Sequence, residues 1–202
     1  MLLITFIVFT AIAALAQGDT LSVSVYYESL CPDSKQFITT QLYPAYEQIS
    51  NYLNVQFFPY GNADITTSED GTLNFTCQHG PNECYGNEIQ ACAISIDPQN
   101  SIQFVDCAMA SDDASNDENL QQCAESSAIS WDSIKECISS GLGDQLFVHY
   151  GELTDSAHIN FVPTIFFNGV FNETLQNLGQ FDFLPTACLL LNEEPSACSS
   201  TE

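Results

Sequence analysis

Three short stretches of this sequence hold residues able to do chemistry. The first is Cys31-Pro32-Asp33-Ser34, which closely follows an alternating segment and leads into helical spacing. A cysteine between a strand and a helix start faces unpaired amide N–H groups and the positive end of the helix dipole, and both favour its thiolate. Asp33 opposes this with a nearby negative charge. In a C-x-x-C motif the second thiol attacks a mixed disulfide and releases the product. Here that position is Ser34, which can hydrogen-bond a thiolate but cannot form a disulfide. A reactive Cys31 stands against a Cys31 that is paired with a distant cysteine or simply buried. The second stretch is Val162-Pro163-Thr164 before an apolar strand, where the ordinary case is a trans proline at a strand start. The third runs from Cys77 to Cys92, C-Q-H-G-P-N-E-C-Y-G-N and then Cys92. Cys77, His79 and Cys84 have the donor chemistry of a partial zinc site. Structural disulfides are the stronger expectation, because metal-binding thiols must stay reduced and nine cysteines behind a secretory-type leader imply an oxidising compartment.

The bulk of the sequence frames that chemistry. The chain has 202 residues, 45% of them hydrophobic and 11% aromatic, enough for one globular domain with an insertion. Met1 to Ala13 is apolar and uncharged, and Ala14-Leu15-Ala16 has the small-x-small form of a signal-peptidase site, so residues 1–16 are expected to be a cleaved secretory signal. The run is short for a membrane span and is followed by polar Gln17, Asp19 and Thr20. Nine cysteines in a secreted chain imply a disulfide framework with at least one thiol left over. Asn74-Phe75-Thr76 and Asn172-Glu173-Thr174 are glycosylation sequons. Two lysines, no arginine and 26 acidic residues give a formal charge of −24. Such a surface repels nucleic acid and anionic lipid. It suits an acidic lumen, where many carboxylates would be protonated.

The elements expected to position the chemistry follow from patterning. Leu21–Tyr27 reads as a strand, bounded by Thr20 and Glu28. Ile38, Leu42, Ala45, Ile49 and Tyr52 recur at helical spacing, with Pro44 expected to kink the helix. Leu53–Tyr60 reads as a second strand, completing a βαβ unit. Between residues 61 and 151 lie six cysteines: 77, 84, 92, 107, 123 and 137. Glu83–Ile96, Trp131–Ser139 and Asp144–Tyr150 look helical, Ile102–Val105 extended, and the acidic stretch Ser111–Asn119 a solvated loop. Thr164–Phe167 is strand-like, and Asn168-Gly169 supplies a type I′ turn into Val170–Phe171. Asn177–Leu191 suits a final helix interrupted by Pro185.

The segment Cys77–Cys92 resembles the signature of the gamma-interferon-inducible lysosomal thiol reductase family, C-Q-H-G-x-x-E-C-x-x-N-x-x-x-x-C. Cys77, Gln78, His79, Gly80, Glu83, Cys84, Asn87 and Cys92 occupy its fixed positions. The likeness extends from Val23 to Cys198 and takes in the strand–Cys–helix start, Val162-Pro163 and the closing Cys188 and Cys198. The resemblance implies an α/β, thioredoxin-like fold interrupted by a helical, disulfide-rich inserted subdomain. Its parts would be residues 17–60 and 152–202 for the two halves of the thioredoxin-like domain and 61–151 for the insertion. It implies disulfide reduction at acidic pH, in a secreted or endosomal and lysosomal setting. No cofactor or metal is expected, and an external thiol such as cysteine or glutathione would serve as reductant. The family's nucleophile falls on Cys31 and its resolving cysteine on Ser34, where this sequence departs from the pattern. Pro163 would be the cis proline that thioredoxin-like folds set against the active-site cysteine. Cys77, Cys84, Cys92, Cys107, Cys123, Cys137, Cys188 and Cys198 are the candidates for structural disulfides. The partners implied are disulfide-containing proteins or peptides, with no nucleic acid and no membrane span after signal cleavage. The chain would be a monomer or a disulfide-linked dimer. The alternatives are an impaired family member that binds partners or holds them as mixed disulfides, and a structural secreted glycoprotein whose Cys31 links two subunits.

Overall fold

The computed structural model describes residues 20–192 and 195–200; the expected signal segment lies outside them. Strand β1, Leu21–Tyr27, is central in a three-stranded sheet. It pairs in parallel with β2, Leu53–Pro59, in a register that sets Val23 opposite Val55 and Val25 opposite Phe57. Between them the chain runs as one helical stretch: α1 (Pro32–Phe37), a π-helical turn (Ile38–Leu42), α2 (Tyr43–Ile49) and a 3-10 turn (Ser50–Tyr52). The Tyr43 N–H reaches back to the Ile38 carbonyl just before Pro44. Pro44 has no N–H to continue the α-helical ladder, and the wider turn absorbs the misfit where a kink is expected.

A hairpin of β3 (Asp64–Thr67) and β4 (Leu73–Thr76) leads from the sheet into five helices. These are α3 (Pro81–Ile96), α4 (Ser101–Ala110), α5 (Asp117–Ser126), α6 (Trp131–Ser139) and α7 (Leu142–Ser156). The chain returns as β5, Thr164–Phe167, antiparallel to β1, and ends in α8 (Glu173–Phe181) and α9 (Phe183–Leu190). Among the described residues, no helix is long and apolar enough to cross a membrane.

Several expectations are corrected. Ile102–Val105 is helical, inside α4; a short apolar run fits a strand and a buried helix equally well, and Phe104, Val105, Ala108 and Met109 all bury in the core. Only Ser111–Asn116 of the acidic stretch is irregular. Asn116 caps α5 by accepting from the Glu118 and Asn119 N–H groups, so the acids at 117 and 118 sit favourably in a first helical turn. Helix α7 begins at Leu142 and runs past Tyr150. The last helix is split at Asp182, and Pro185 falls in the first turn of α9, where a missing N–H costs nothing. Asn168 and Gly169 both have positive φ, as a type I′ turn requires. The hairpin stops after a single bridge from Phe167 to Val170, because Asn172 then caps α8 through the Leu175 N–H.

The insertion is not packed apart from the sheet. One apolar cluster joins Val23, Val25, Phe57 and Ile165 to Ile89, Phe104, Leu120 and Ile134. Lys135, one of the two lysines, donates to Asp117 at 2.9 Å and to the Tyr85 hydroxyl at 2.8 Å, tying α6 to α5 and α3. Its ammonium also lies 5.4 and 5.5 Å from the ring centres of Tyr85 and Trp131.

Two acids within these helices make stability depend on pH. Burial pushes Glu88 of α3 up to about 7, with Asp144 at the start of α7 adding to it. Burial raises Asp106 of α4 to about 6, with Glu47 adding to it. In the unfolded chain both groups titrate near 4. The folded state therefore holds more protons than the unfolded one between pH 4 and 7. The stabilisation is complete below about pH 4 and is lost as pH rises through the folded values. We expect calorimetry to give a Tm at pH 5 higher than at pH 8 by about 3 °C or more. A Tm that falls steadily on acidification from pH 8 to pH 5 would contradict this.

Candidate functional site

Cys31 sits at the N-terminal cap of α1, with extended backbone angles and Pro32 as the first helical residue. Its N–H donates to the Glu28 carbonyl at 3.3 Å, and its carbonyl accepts from the Lys35 N–H at 2.9 Å. A tight turn at the end of β1 thus feeds the cysteine directly into the helix. The side chain is 7% exposed. Cys31 is the free cysteine; the other eight pair as Cys77–Cys84, Cys92–Cys137, Cys107–Cys123 and Cys188–Cys198. The Cys77–Cys84 bond also removes those two sulfurs from any metal site.

Pro163 lies beside Cys31. The Val162–Pro163 bond is cis, and the Val162 carbonyl oxygen is 4.0 Å from Cys31 Sγ. The loop is held by Gln176 of α8, a buried side chain that donates to the Pro163 carbonyl at 2.9 Å and accepts from the Ile165 N–H at 2.7 Å. A groove alongside is lined by Asp33, Phe161, Val162, Phe171, Gln176 and Phe181. Its aromatic rim is open to solvent, with Phe181 63% exposed. Ser34 is fully buried, and its hydroxyl has no hydrogen-bond partner.

The signature segment forms the wall behind the Cys31 turn. Gly80 starts α3 at φ +92°, a conformation suited to glycine. Asn87 Oδ1 accepts from the Ser29 N–H at 2.8 Å, and the Ser29 hydroxyl donates to the Glu83 carbonyl at 3.1 Å. Gln90 accepts from the Tyr27 hydroxyl at 2.6 Å, and Gln78 accepts from Asn62 Nδ2 at 3.0 Å. His79 contacts Glu83 and Glu28, the latter one residue past β1. Burial raises Glu28 from its ordinary value; Glu83 adds to this, while the Asn62 N–H and His79 oppose it. Sequence reasoning missed Gln176, Gln90 and Glu28. Glu28 reads in sequence as the polar end of a strand, and no local pattern marks it as buried.

Asn87→Ala would leave the buried Ser29 N–H unpaired. We expect a loss of about 1–3 kcal/mol in stability and faster alkylation of Cys31, since the turn that carries it loses its anchor. Denaturant melts together with the rate of iodoacetamide labelling check this. An unchanged melt and labelling rate would show that the contact is not a brace.

A family model described as gamma interferon inducible lysosomal thiol reductase matches residues 22–127. GILT-like protein 1 of Drosophila melanogaster is 35% identical over 93% of this chain and 82% of its own length. The gamma-interferon-inducible lysosomal thiol reductase of Mus musculus is 32% identical over 88% of this chain and 71% of its own. Among solved structures, the thiol-disulfide oxidoreductase MdbA of Actinomyces oris superposes with a TM-score of 0.63 at 12% identity, covering 88% of this chain and 83% of that one. BdbD of Bacillus subtilis gives 0.59 at 14% identity, covering 83% and 86%. The fold is thioredoxin-like, with helices inserted between β2 and β5.

Proposed function

The chain belongs to the gamma interferon inducible lysosomal thiol reductase family, and from that premise we propose a thiol-disulfide oxidoreductase that works through Cys31 alone. The observation that carries this is that Cys31 is unpaired among nine cysteines and lies against the carbonyl before a cis proline. Cys31 thiolate attacks one sulfur of a substrate disulfide, forming a mixed disulfide and releasing the other sulfur as a thiolate. An external thiol then attacks the Cys31 sulfur, freeing the second substrate thiol and leaving a disulfide between Cys31 and the reductant. A second external thiol restores Cys31. The balance is two external thiols consumed, one substrate disulfide reduced and one external disulfide formed.

Ser34 stands where the family pattern has the resolving cysteine, so release depends on cysteine, glutathione or a similar thiol. The substrates are disulfide-bonded proteins or peptides presented in extended form, their backbone against the Val162–Pro163 loop and their apolar side chains on the aromatic rim. The gain in stability expected on acidification and the excess of 26 acidic over two basic side chains suit an endosomal or lysosomal lumen or an acidic secreted setting. Asn74 and Asn172, both exposed, are the glycan acceptors.

The test is single-turnover capture. Wild type mixed with a disulfide peptide at low external thiol should give one adduct per chain, located at Cys31 by mass spectrometry, and turnover should rise in proportion to added thiol. Turnover independent of added thiol would overturn the single-thiol mechanism. A second reading, a binding protein that holds partners as mixed disulfides, is favoured by the same Ser34. It differs in leaving the adduct intact at high external thiol.

A further inference from the structure

Glu28, His79 and Glu83 form a cluster that the thiol chemistry does not use. His79 Nδ1 is 2.6 Å from Glu83 Oε2 and 3.3 Å from Glu28 Oε2, and the three donor atoms lie within 4.8 Å of one another. The two carboxylate side chains are 1% and 0% exposed, while the imidazole is 34% exposed. The second oxygen of each carboxylate is fixed by main chain. The Asn62 N–H donates to Glu28 Oε1 at 2.7 Å, and the N–H of His79 itself donates to Glu83 Oε1 at 2.9 Å. Both Oε2 atoms are thereby turned toward the imidazole. Gly61, at φ +66°, leaves room for this arrangement; a Cβ there would come within 2.2 Å of Glu28 Cγ.

The hydrogen bonding does not close. Nδ1 carries at most one proton, and Glu83 takes it at the shorter distance. Glu28 Oε2 is left buried with no hydrogen-bond donor. A buried carboxylate is neutralised by a proton, paired with a cation or coordinated to a metal. Neither lysine fills this place, since Lys35 donates to the Ser111 carbonyl and Lys135 to Asp117.

We propose that Glu28, His79 and Glu83 bind a divalent transition-metal ion of the zinc type, through Glu28 Oε2, Glu83 Oε2 and His79 Nδ1. One imidazole nitrogen with two carboxylate oxygens is a zinc donor set, whereas calcium and magnesium require more oxygen ligands. Ligands about 2.1 Å from a shared ion stand roughly 3–3.5 Å apart. The Glu28–His79 separation of 3.3 Å already meets this, and the Glu83–His79 separation of 2.6 Å must widen by roughly 0.5–1 Å. Binding replaces the Nδ1 proton, which leaves to solvent. The exposed side of His79 provides the entry path and a place for a water ligand. The main-chain bonds to both Oε1 atoms are the supports that orient metal-binding carboxylates. Because the Glu28 carbonyl accepts from the Cys31 N–H, the ion would brace the turn that carries the thiol.

The experiment titrates the folded chain, with its disulfides intact, at neutral pH. Zn²⁺ is followed by calorimetry and Co²⁺ by visible absorption. We expect one saturable equivalent and a cobalt spectrum without thiolate charge transfer. His79→Gln and Glu28→Gln should each weaken binding at least about tenfold, while Asp112→Asn with Asp113→Asn in the acidic loop should leave it unchanged. No saturable equivalent, or one indifferent to His79→Gln, overturns the proposal. If Glu28→Gln fails to fold, His79→Gln, at a partly exposed position, decides the question alone.

Discussion

A Cys31→Ala variant is expected to form no mixed disulfide with a peptide disulfide and to reduce it no faster than external thiol does alone. Eight of the nine cysteines are joined in four bonds, so removing Cys31 removes the chain's only free thiol. The fold should survive. Cys31 Sγ lies 4.0 Å from the Val162 carbonyl, a weak contact to lose, and the turn is held by main-chain bonds that alanine keeps. Mass spectrometry of the quenched reaction, with a thermal melt as the folding control, measures both. Residual adduct on a folded variant would mean that one of the four bonds exchanges. Cys107–Cys123 and Cys188–Cys198 would be examined first, because Cys107 and Cys188 are each partly exposed.

The largest gain is expected from Ser34→Cys. Residues three apart on a helix are neighbours, at a separation a disulfide can span. The Ser34 hydroxyl is buried and unpartnered, so a thiol in its place gives up no hydrogen bond. The introduced thiol would attack the mixed disulfide from within the molecule. Well-oriented internal groups reach effective concentrations of the order of 10⁵ M, far above any external thiol. At low external thiol the adduct lifetime should shorten and multiple-turnover reduction should rise by about tenfold or more. The rate of initial attack, set by Cys31, should change much less. Equal turnover by wild type and variant under those conditions would rule out slow release as the limiting step.

The parts of the site that could be read from sequence are those with local signals. Cys31 between an alternating strand and a helix, the cysteine-rich signature, and Val162-Pro163 before Thr164–Phe167 each announce themselves within a few residues. The contacts that join them do not. Gln176 clamps the Pro163 loop from α8, and Gln90 meets Tyr27 across 63 positions; a glutamine on a helix looks the same in sequence whether solvated or buried. The β3–β4 hairpin did carry a signal, alternation in Asp64–Thr67 and Leu73–Thr76 around Asp70-Gly71. Ile102–Val105 failed for a different reason: four apolar residues carry no period, and only their packing in the core decides between helix and strand.

The placement of the four disulfides bears on survival in the medium that such a reductase requires. Thiol–disulfide exchange needs a thiolate to reach a sulfur along the axis of the bond. Cys92, Cys123 and Cys137 are 0%, 2% and 5% exposed, and Cys77 and Cys84 are 7% and 5% exposed. Reductant at a concentration high enough to reset Cys31 therefore meets few of the chain's own sulfurs. Cys92–Cys137 and Cys107–Cys123 each have at least one sulfur in the core that joins the helices to the sheet, and Cys77–Cys84 packs in a second cluster with Tyr60 and Phe147. The protein is thus a poor substrate for its own reaction, and for a second copy of itself. At neutral pH the net negative charge on both molecules adds to that protection by keeping copies apart.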